Sequence, residues 1–317
     1  MNITKPSFSV IIPNYNNGNT LARAIDSVLI QSYAACEIII IDDGSSDNSK
    51  EVAEKFGHRV KYIYQSNAGV SAARNHGAKV ASGNWLSFLD ADDCYLPNRL
   101  ESHAHWIQKD PDINFLLGDQ EHRKPDGQLL HLALENCLSG RELVERHPGS
   151  INIPMLQHDF ENFIADGFGE IRTLSLPRKT FLDLGGFPED KTVGEDLYLI
   201  IRLCAASTKA GVVNLPLAVY YIYPGSVLRK DIIGAQQRFV RTLESLADKL
   251  ESASTNIRRG YQKKLRDARL NLAYAFLREN HRMAAIKSVI PTILGNPSLS
   301  TARDLLSIIK GLPKKQP

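Results

Sequence analysis

The 317 residues are 43% hydrophobic and 23% charged, an ordinary soluble composition with room for one large domain or two modest ones. The cysteines Cys36, Cys94, Cys137 and Cys204 form no Cys-x-x-Cys pair, which argues against a zinc site or a disulfide framework. The formal net charge of +3 hides an asymmetry: residues 226–317 carry 18 Lys+Arg and 7 Asp+Glu, a balance of +11, leaving −8 on residues 1–225.

An acidic body with a basic tail predicts two parts and an anionic partner for the second. No apolar run approaches the roughly 20 residues that span a bilayer, and the opening residues lack a secretory pattern, so a cytoplasmic location is expected. In chain order, Phe8 to Ile12 reads as a strand halted by Pro13. Leu21, Ala24, Ile25, Val28 and Leu29 then recur at helical spacing. Ile38 to Ile41 is a second strand, ending on Asp42-Asp43-Gly44-Ser45-Ser46-Asp47, where Ser46 or Asp47 can cap a helix to about Phe56. Val60 to Tyr64 is a third strand, followed by a helix over Ser71 to Ala81. Trp85 to Leu89 is a fourth, and it stops on three carboxylates: Asp90, Asp92 and Asp93. Like charges that close raise each other's pKa, and a divalent cation is the simplest partner, with a turn or cap cluster as the plain alternative.

Strands alternating with helices, several apolar throughout, predict an α/β fold: a doubly wound, mostly parallel sheet with helices on both faces. Ligands in such sheets bind beyond the carboxyl ends of the strands, where the three Asp- or Asn-rich turns fall. Leu96 to Lys109 reads as a helix and Phe115 to Leu117 as a strand. From Asp119 to Gly169 the periodicity fades, and 118–127 and 148–169 read as loops. Arg172 to Leu176 is strand-like, a short helix runs up to Gly185-Gly186, and Glu195-Asp196 opens a further helix. Val212 to Tyr223 is a strand; beyond it lie amphipathic helices over 232–250, 257–279, 283–290 and 301–309.

Six ordered segments now carry a resemblance. Phe8 to Asn16, Ile41 to Asp47, Gly69 to Asn75, Leu89 to Asp93, Leu184-Gly185-Gly186-Phe187 and Gly194-Glu195-Asp196 together resemble the family 2 glycosyltransferases, over roughly residues 7–223. The resemblance implies the GT-A fold and an inverting, metal-dependent transfer from a nucleotide-sugar, most simply a UDP-sugar, to a saccharide or lipid-linked acceptor. Surface polysaccharide or glycolipid synthesis is the implied setting. It implies a nucleotide-binding half at 1–118, an acceptor-binding half at 119–225 and a helical extension at 226–317. Pro13, Tyr15 and Asn16 match the turn against the nucleotide, and Asp42 and Asp43 the acidic pair that meets the base. Arg74 matches the arginine near base and phosphates. Asp90-Ala91-Asp92 match the Asp-x-Asp motif, with Asp90 and Asp92 toward ribose and a Mn²⁺ or Mg²⁺ ion. Asp196 matches the catalytic base, with Glu195 orienting the acceptor or a neighbouring group.

One departure from the resemblance stands out: many family members carry an Arg or His in the segment matching Tyr221 to Ser226, where this chain has Ile222 and Tyr223, leaving Arg229 or Lys230 to supply the charge. Asp93 falls outside the motif and reads as a helix-entry cap or a support. The nucleotidyltransferase alternative lacks a basic loop after the first strand, and a non-catalytic nucleotide-sugar binder would not need intact carboxylate pairs. No nucleic-acid partner is expected. The basic tail reads equally as a peripheral contact to an anionic membrane and as a solvated cap or homo-oligomer contact.

Overall fold

The computed structural model describes residues 5–223, 231–295 and 299–310. Its centre is a curled ten-stranded sheet: β1 (Phe8–Asn14), β2 (Glu37–Asp42), β3 (Lys61–Tyr64), β4 (Trp85–Phe88), β5 (Cys94–Tyr95), β6 (Phe115–Arg123), β7 (Leu129–Leu132), β8 (Asn152–Leu156), β9 (Ser175–Pro177) and β10 (Lys209–Tyr221). The order is β3-β2-β1-β4-β9-β6-β10-β5, with β7 on β6 and β8 on β10. The pairs β1–β2, β1–β4, β2–β3 and β6–β10 run parallel. The short strands β5, β7, β8 and β9 are the antiparallel additions.

The parallel half follows from its sequence. Every residue of β1 is buried, and Ile38 to Ile41 of β2 are buried too, so neither strand has a polar face to show water. Helices cover both sides: α1 (Gly18–Leu29), α2 (Ser49–Glu54), α3 (Val70–Val80), α4 (Arg99–Lys109), α5 (Leu138–Glu145), α6 (Phe160–Asp166), α7 (Arg178–Asp183) and α8 (Glu195–Ala205). Of the expected stripe on α1, Leu21, Ala24, Ile25 and Val28 are buried and Leu29 is half-buried. Asp47, the expected cap, ties two helix starts together: Oδ1 accepts from the Ser49 amide (3.0 Å) and Oδ2 from the Gly18 amide (2.8 Å).

The stretch read as loops is more ordered than its sequence suggests. β6 continues from Leu117 to Arg123, because the parallel ladder with β10 runs on past Gly118. That ladder shifts register between Val213 and Ala218, around Pro216, which has no N–H to give. Asp119 breaks the apolar pattern yet is buried, its carboxylate accepting from the amides of Gln120 (2.8 Å) and Leu134 (2.9 Å). Residues 148–169 hold β8 and α6, two short elements with too few residues to show a period. Of the expected strand 172–176 only its end is extended, since Ile171–Thr173 form a 3₁₀ turn before β9.

The C-terminal helices are α9 (Ile232–Glu244), α10 (Thr255–Arg278), α11 (Arg282–Gly295) and α12 (Leu299–Ile309). Val240, Leu243, Ile257, Tyr261 and Leu272 belong to the same apolar core as Phe88, Phe115 and Leu199. α11 and α12 close over a small separate cluster of Ala273, Ala285, Val289 and Ile308. The expected boundary at 225/226, and with it Arg229 and Lys230, lies outside the described residues.

α3 lies tight on the sheet at Gly77, where a Cβ would sit 2.5 Å from Ile11 Cγ2 and 3.3 Å from Ile41 Cγ1. Gly77→Val is therefore expected to cost about 1–3 kcal/mol through overpacking, read as a lower urea midpoint.

Candidate active site

Parallel pairing brings three turns to one edge. Register sets Asn14 opposite Asp42, and Ile11 lies between Ile39 and Phe88, so β1, β2 and β4 all end on the same side. A cavity of about 610 Å³ opens there, lined among others by Pro13, Tyr15, Asp43, Arg74, Asp90, Ala91 and Asp92. Tyr15 is 51% exposed at its mouth rather than sunk in the core. Four expected residues do not line it: Glu195 and Asp196, which are joined to it through Arg74, and Asn16 and Asp42. Asn16, at φ +54°, braces the turn, its side-chain oxygen accepting from the Ser46 amide (2.8 Å). The Asp42 carboxylate accepts from the Tyr62 hydroxyl (2.6 Å) and the Ser45 amide (2.8 Å). Asp43 does reach the cavity, held by Gln65 Nε2 (2.7 Å) and the amides of Ala68 (2.9 Å) and Gly69 (2.8 Å).

Arg74 is the hub. It stands on the first turns of α3, 3% exposed, and donates from Nη2 to Asp90 (2.7 Å) and from Nη1 to Asp196 (2.9 Å) and Glu195 (3.3 Å). Its guanidinium lies 5.1 Å from the centre of the Phe187 ring. The next residue fastens a second motif: Asn75 donates to the Phe187 carbonyl (2.9 Å) and accepts from the Phe187 amide (2.9 Å). Gly186 has φ +68°, and a Cβ there would fall 2.3 Å from Asn75 Oδ1, so both conformation and space require glycine.

A second guanidinium was not legible as part of the site. Arg172 is buried and donates to Asp93 Oδ2 (2.6 Å), to Gln120 Oε1 (3.2 Å) and to Glu170, and its Nη2 lies 3.7 Å from Asp90 Oδ2. Asp93 also accepts from the Tyr221 amide (3.0 Å), which gives it the support role expected of it by joining the Asp90–Asp93 turn to β10. The available signal was weak: one arginine opening a segment read as strand-like, with nothing in it to say that the side chain would be buried and paired. Arg23 on α1 gave no signal at all. It donates to the Asp92 carbonyl (2.6 Å) and the Tyr223 hydroxyl (3.1 Å) and lies 4.0 Å over the Tyr221 ring. A cation thus does stand beside Tyr221 and Tyr223, but α1 delivers it.

The carboxylates differ in kind. Burial works to raise the Asp90 carboxyl, but Arg74 and Arg172 outweigh it and hold it below its usual range. Burial, and then Asp90 beside it, raises Asp92, whose carboxylate accepts no hydrogen bond from any other described residue. Asp196 is pushed up to about 7, first by burial and then by Glu195 and Asp90, against the pull of Arg74. Its side chain is 35% exposed, which leaves a path for a proton.

A profile for the family described as Glycosyl transferase family 2 matches residues 9–152. Residues 9–152 belong to this family. Glycosyltransferase GlyA of Streptococcus pneumoniae is 30% identical over 236 residues, 70% of this chain and 31% of that protein. The chain spans about a third or less of the length of the curated relatives it matches. S. aureus TarS 1–349, solved in complex with UDP-GlcNAc, superposes with a TM-score of 0.71 at 17% identity, over 96% of this chain and 89% of that one. The mannosyltransferase PcManGT from Pyrobaculum calidifontis, solved with GDP-Man and Mn²⁺, gives 0.60 at 16% identity, over 96% and 80%. Likeness at those identities is likeness of fold, and the expected GT-A architecture with a helical C-terminal region is the fold observed.

Truncating Arg74 would leave three carboxylates facing one another without their shared cation. Arg74→Ala is expected to cost about 3–5 kcal/mol, measured by denaturant unfolding. Arg23→Met keeps the stem and removes the fork at Asp92. A lower urea midpoint is expected, for the roughly 1.5–3 kcal/mol that a hydrogen bond from a charged group contributes.

Proposed function

We propose that this family 2 protein is an inverting, metal-dependent glycosyltransferase that moves a sugar from a UDP-sugar to the hydroxyl of a saccharide or lipid-linked acceptor, in surface polysaccharide or glycolipid synthesis. The observation that carries the reading is the single guanidinium of Arg74, which holds Asp90 on one side and Glu195 and Asp196 on the other. The groups suited to the leaving diphosphate and to the attacking hydroxyl are thereby parts of one rigid network. A non-catalytic nucleotide-sugar binder would have no use for Asp196.

The donor set fits a divalent cation that brings most of its own ligands. Among the described residues no three or more His, Cys, Asp or Glu side chains converge as a full cage. The Asp92 carboxylate accepts no hydrogen bond from another described residue and Asp90 stands close by, and Mg²⁺ or Mn²⁺ commonly uses one or two carboxylates with phosphates and water. When bound, the ion would offset charge developing on the departing diphosphate. Mn²⁺ in the mannosyltransferase neighbour supports this choice.

The chain's own residues then divide the work. Asp43, which faces the cavity, is the better candidate for the base edge than Asp42, whose oxygens are turned to Tyr62 and Ser45. Tyr15 at the mouth offers a flat face for the base. The UDP-GlcNAc complex of TarS supports uracil as that base. Asp196 takes the acceptor proton as the hydroxyl oxygen bonds to the anomeric carbon and the bond to the diphosphate oxygen breaks. Attack opposite the leaving group inverts that carbon. Glu195, bonded to the same guanidinium, orients the acceptor side. No helix among the described residues is long and apolar enough to cross a membrane, and an enzyme working at the cytoplasmic face would meet lipid-linked acceptors through its basic helices.

Asp92→Asn and Asp196→Asn are each expected to lower transfer at least about a hundredfold, with unchanged circular dichroism; release of UDP from a panel of UDP-sugars, with and without Mn²⁺, is the assay. Full activity in Asp196→Asn would remove the base from its role. A carboxyl with a raised pKa is protonated below that value and useless as a base there. kcat/KM should therefore fall as pH drops below about 7 and level off above it.

A further inference from the structure

The last two helices carry a surface that the transfer chemistry does not use. On α11, Met283, Lys287, Ile290 and Leu294 follow one another at steps of four, three and four, so they form one line along the helix. All four are exposed, Leu294 by 78% and Met283 by 68%. The opposite side of the helix holds Ala285 and Val289, packed into the small cluster with Ala273 and Ile308. α12 repeats the arrangement: Ile308 points inward, while Arg303, Leu306, Ile309 and Lys310 face out.

Two features decide what such a face fits. Its apolar side chains are large and aligned, which solvent alone does not favour. Its charge is of one sign: from Arg282 to Lys310 the only carboxylate is Asp304, and that is held by Arg266, Nε to Oδ2 at 2.9 Å. Arg282, Lys287, Arg303 and Lys310 are all exposed, and no described carboxylate pairs with them. A second copy of the same face would set cation against cation. Apolar residues aligned with Lys and Arg, without carboxylates, suit a helix lying in the headgroup layer of an anionic bilayer.

We propose that α11 and α12 form a membrane-docking face, with Met283, Ile290, Leu294 and Leu306 entering the acyl boundary and Lys287 and Arg303 meeting anionic headgroups. The proposal rests on, and localises, the peripheral membrane reading of the basic tail. It replaces diffuse attraction by +11 with a defined surface.

The test uses the full chain and sedimentation with vesicles of phosphatidylcholine alone or of phosphatidylcholine mixed with phosphatidylglycerol. Binding is expected only to the mixed vesicles and should weaken as salt rises. Leu294→Glu with Leu306→Glu, and separately Lys287→Glu with Arg303→Glu, should each weaken it at least about tenfold, the order expected from about 1 kcal/mol for each surface cation. Neither pair should alter the melting curve or the metal-dependent release of UDP. If both variants sediment like the unaltered chain, the face is wrong while membrane binding survives. If the unaltered chain ignores anionic vesicles, both fail. If the apolar substitutions instead abolish a concentration-dependent dimer and vesicles are not bound, the face serves self-association and the proposal is overturned. UDP release in the same samples reports on the transferase reading independently.

Discussion

One buried positive charge organises the site. A guanidinium that is 3% exposed pays a heavy desolvation cost, which close carboxylates must offset. Arg74 has three, and they come from the end of β4 and the start of α8, segments separated by about a hundred residues of chain. Because the guanidinium is buried and bonded to all three, the spacing of Asp90, Glu195 and Asp196 is set through the arginine as well as by the loops that carry them. The sheet brings the turns to one edge, and Arg74 then helps set their spacing.

Arg172 extends the same logic to the far side of Asp90. It binds Asp93 and Glu170, and Asp93 in turn accepts from the backbone of β10. Six carboxylates, Asp90, Asp92, Asp93, Glu170, Glu195 and Asp196, stand against three guanidinium groups, Arg23, Arg74 and Arg172. Burial first, with neighbouring carboxylates adding to it against the nearby guanidinium groups, pushes Asp93 and Asp196 both up to about 7. A site with excess negative charge would repel a diphosphate, and the reading in which a divalent cation enters with the donor resolves that conflict. Asp92, whose carboxylate accepts no hydrogen bond from another described residue, is where the imbalance is least compensated.

The sequence made the parallel half of the sheet legible because its signals are local. Buried strands read as continuous Ile and Val runs, and helix stripes recur at fixed spacing. The site residues on strand ends were legible for the same reason, as carboxylates terminating apolar runs. What escaped depends on pairing across long stretches. β6 continues beyond Leu117 because β10 lies beside it, and nothing within residues 118–123 announces that neighbour. Arg172 looked like one charge in a weak strand, and its meaning comes from Asp93, 79 positions earlier. Arg23 occupies the polar side of an ordinary amphipathic helix, where a solvated arginine is the usual occupant, and only the folded chain lays it over Tyr221. Asp42 and Asp43 show the limit from the other direction: two adjacent carboxylates of one motif are turned to different tasks by strand pleat, one toward Tyr62 and one toward the cavity.

The turn before the proposed base carries a further consequence. Gly194 has φ +81°, and a Cβ there would sit 2.6 Å from the ring of Phe239, while Thr242 donates to the Val193 carbonyl at 2.8 Å. Both partners belong to α9, beyond the sheet. The C-terminal helices are therefore not an interchangeable appendage: grafted from another protein, they would have to bring a ring of the same size and a hydroxyl at the same height to this turn. Positions 194, 239 and 242 form a compatibility lock, and recombination between relatives at the end of β10 would leave the segment bearing Asp196 seated against the wrong surface.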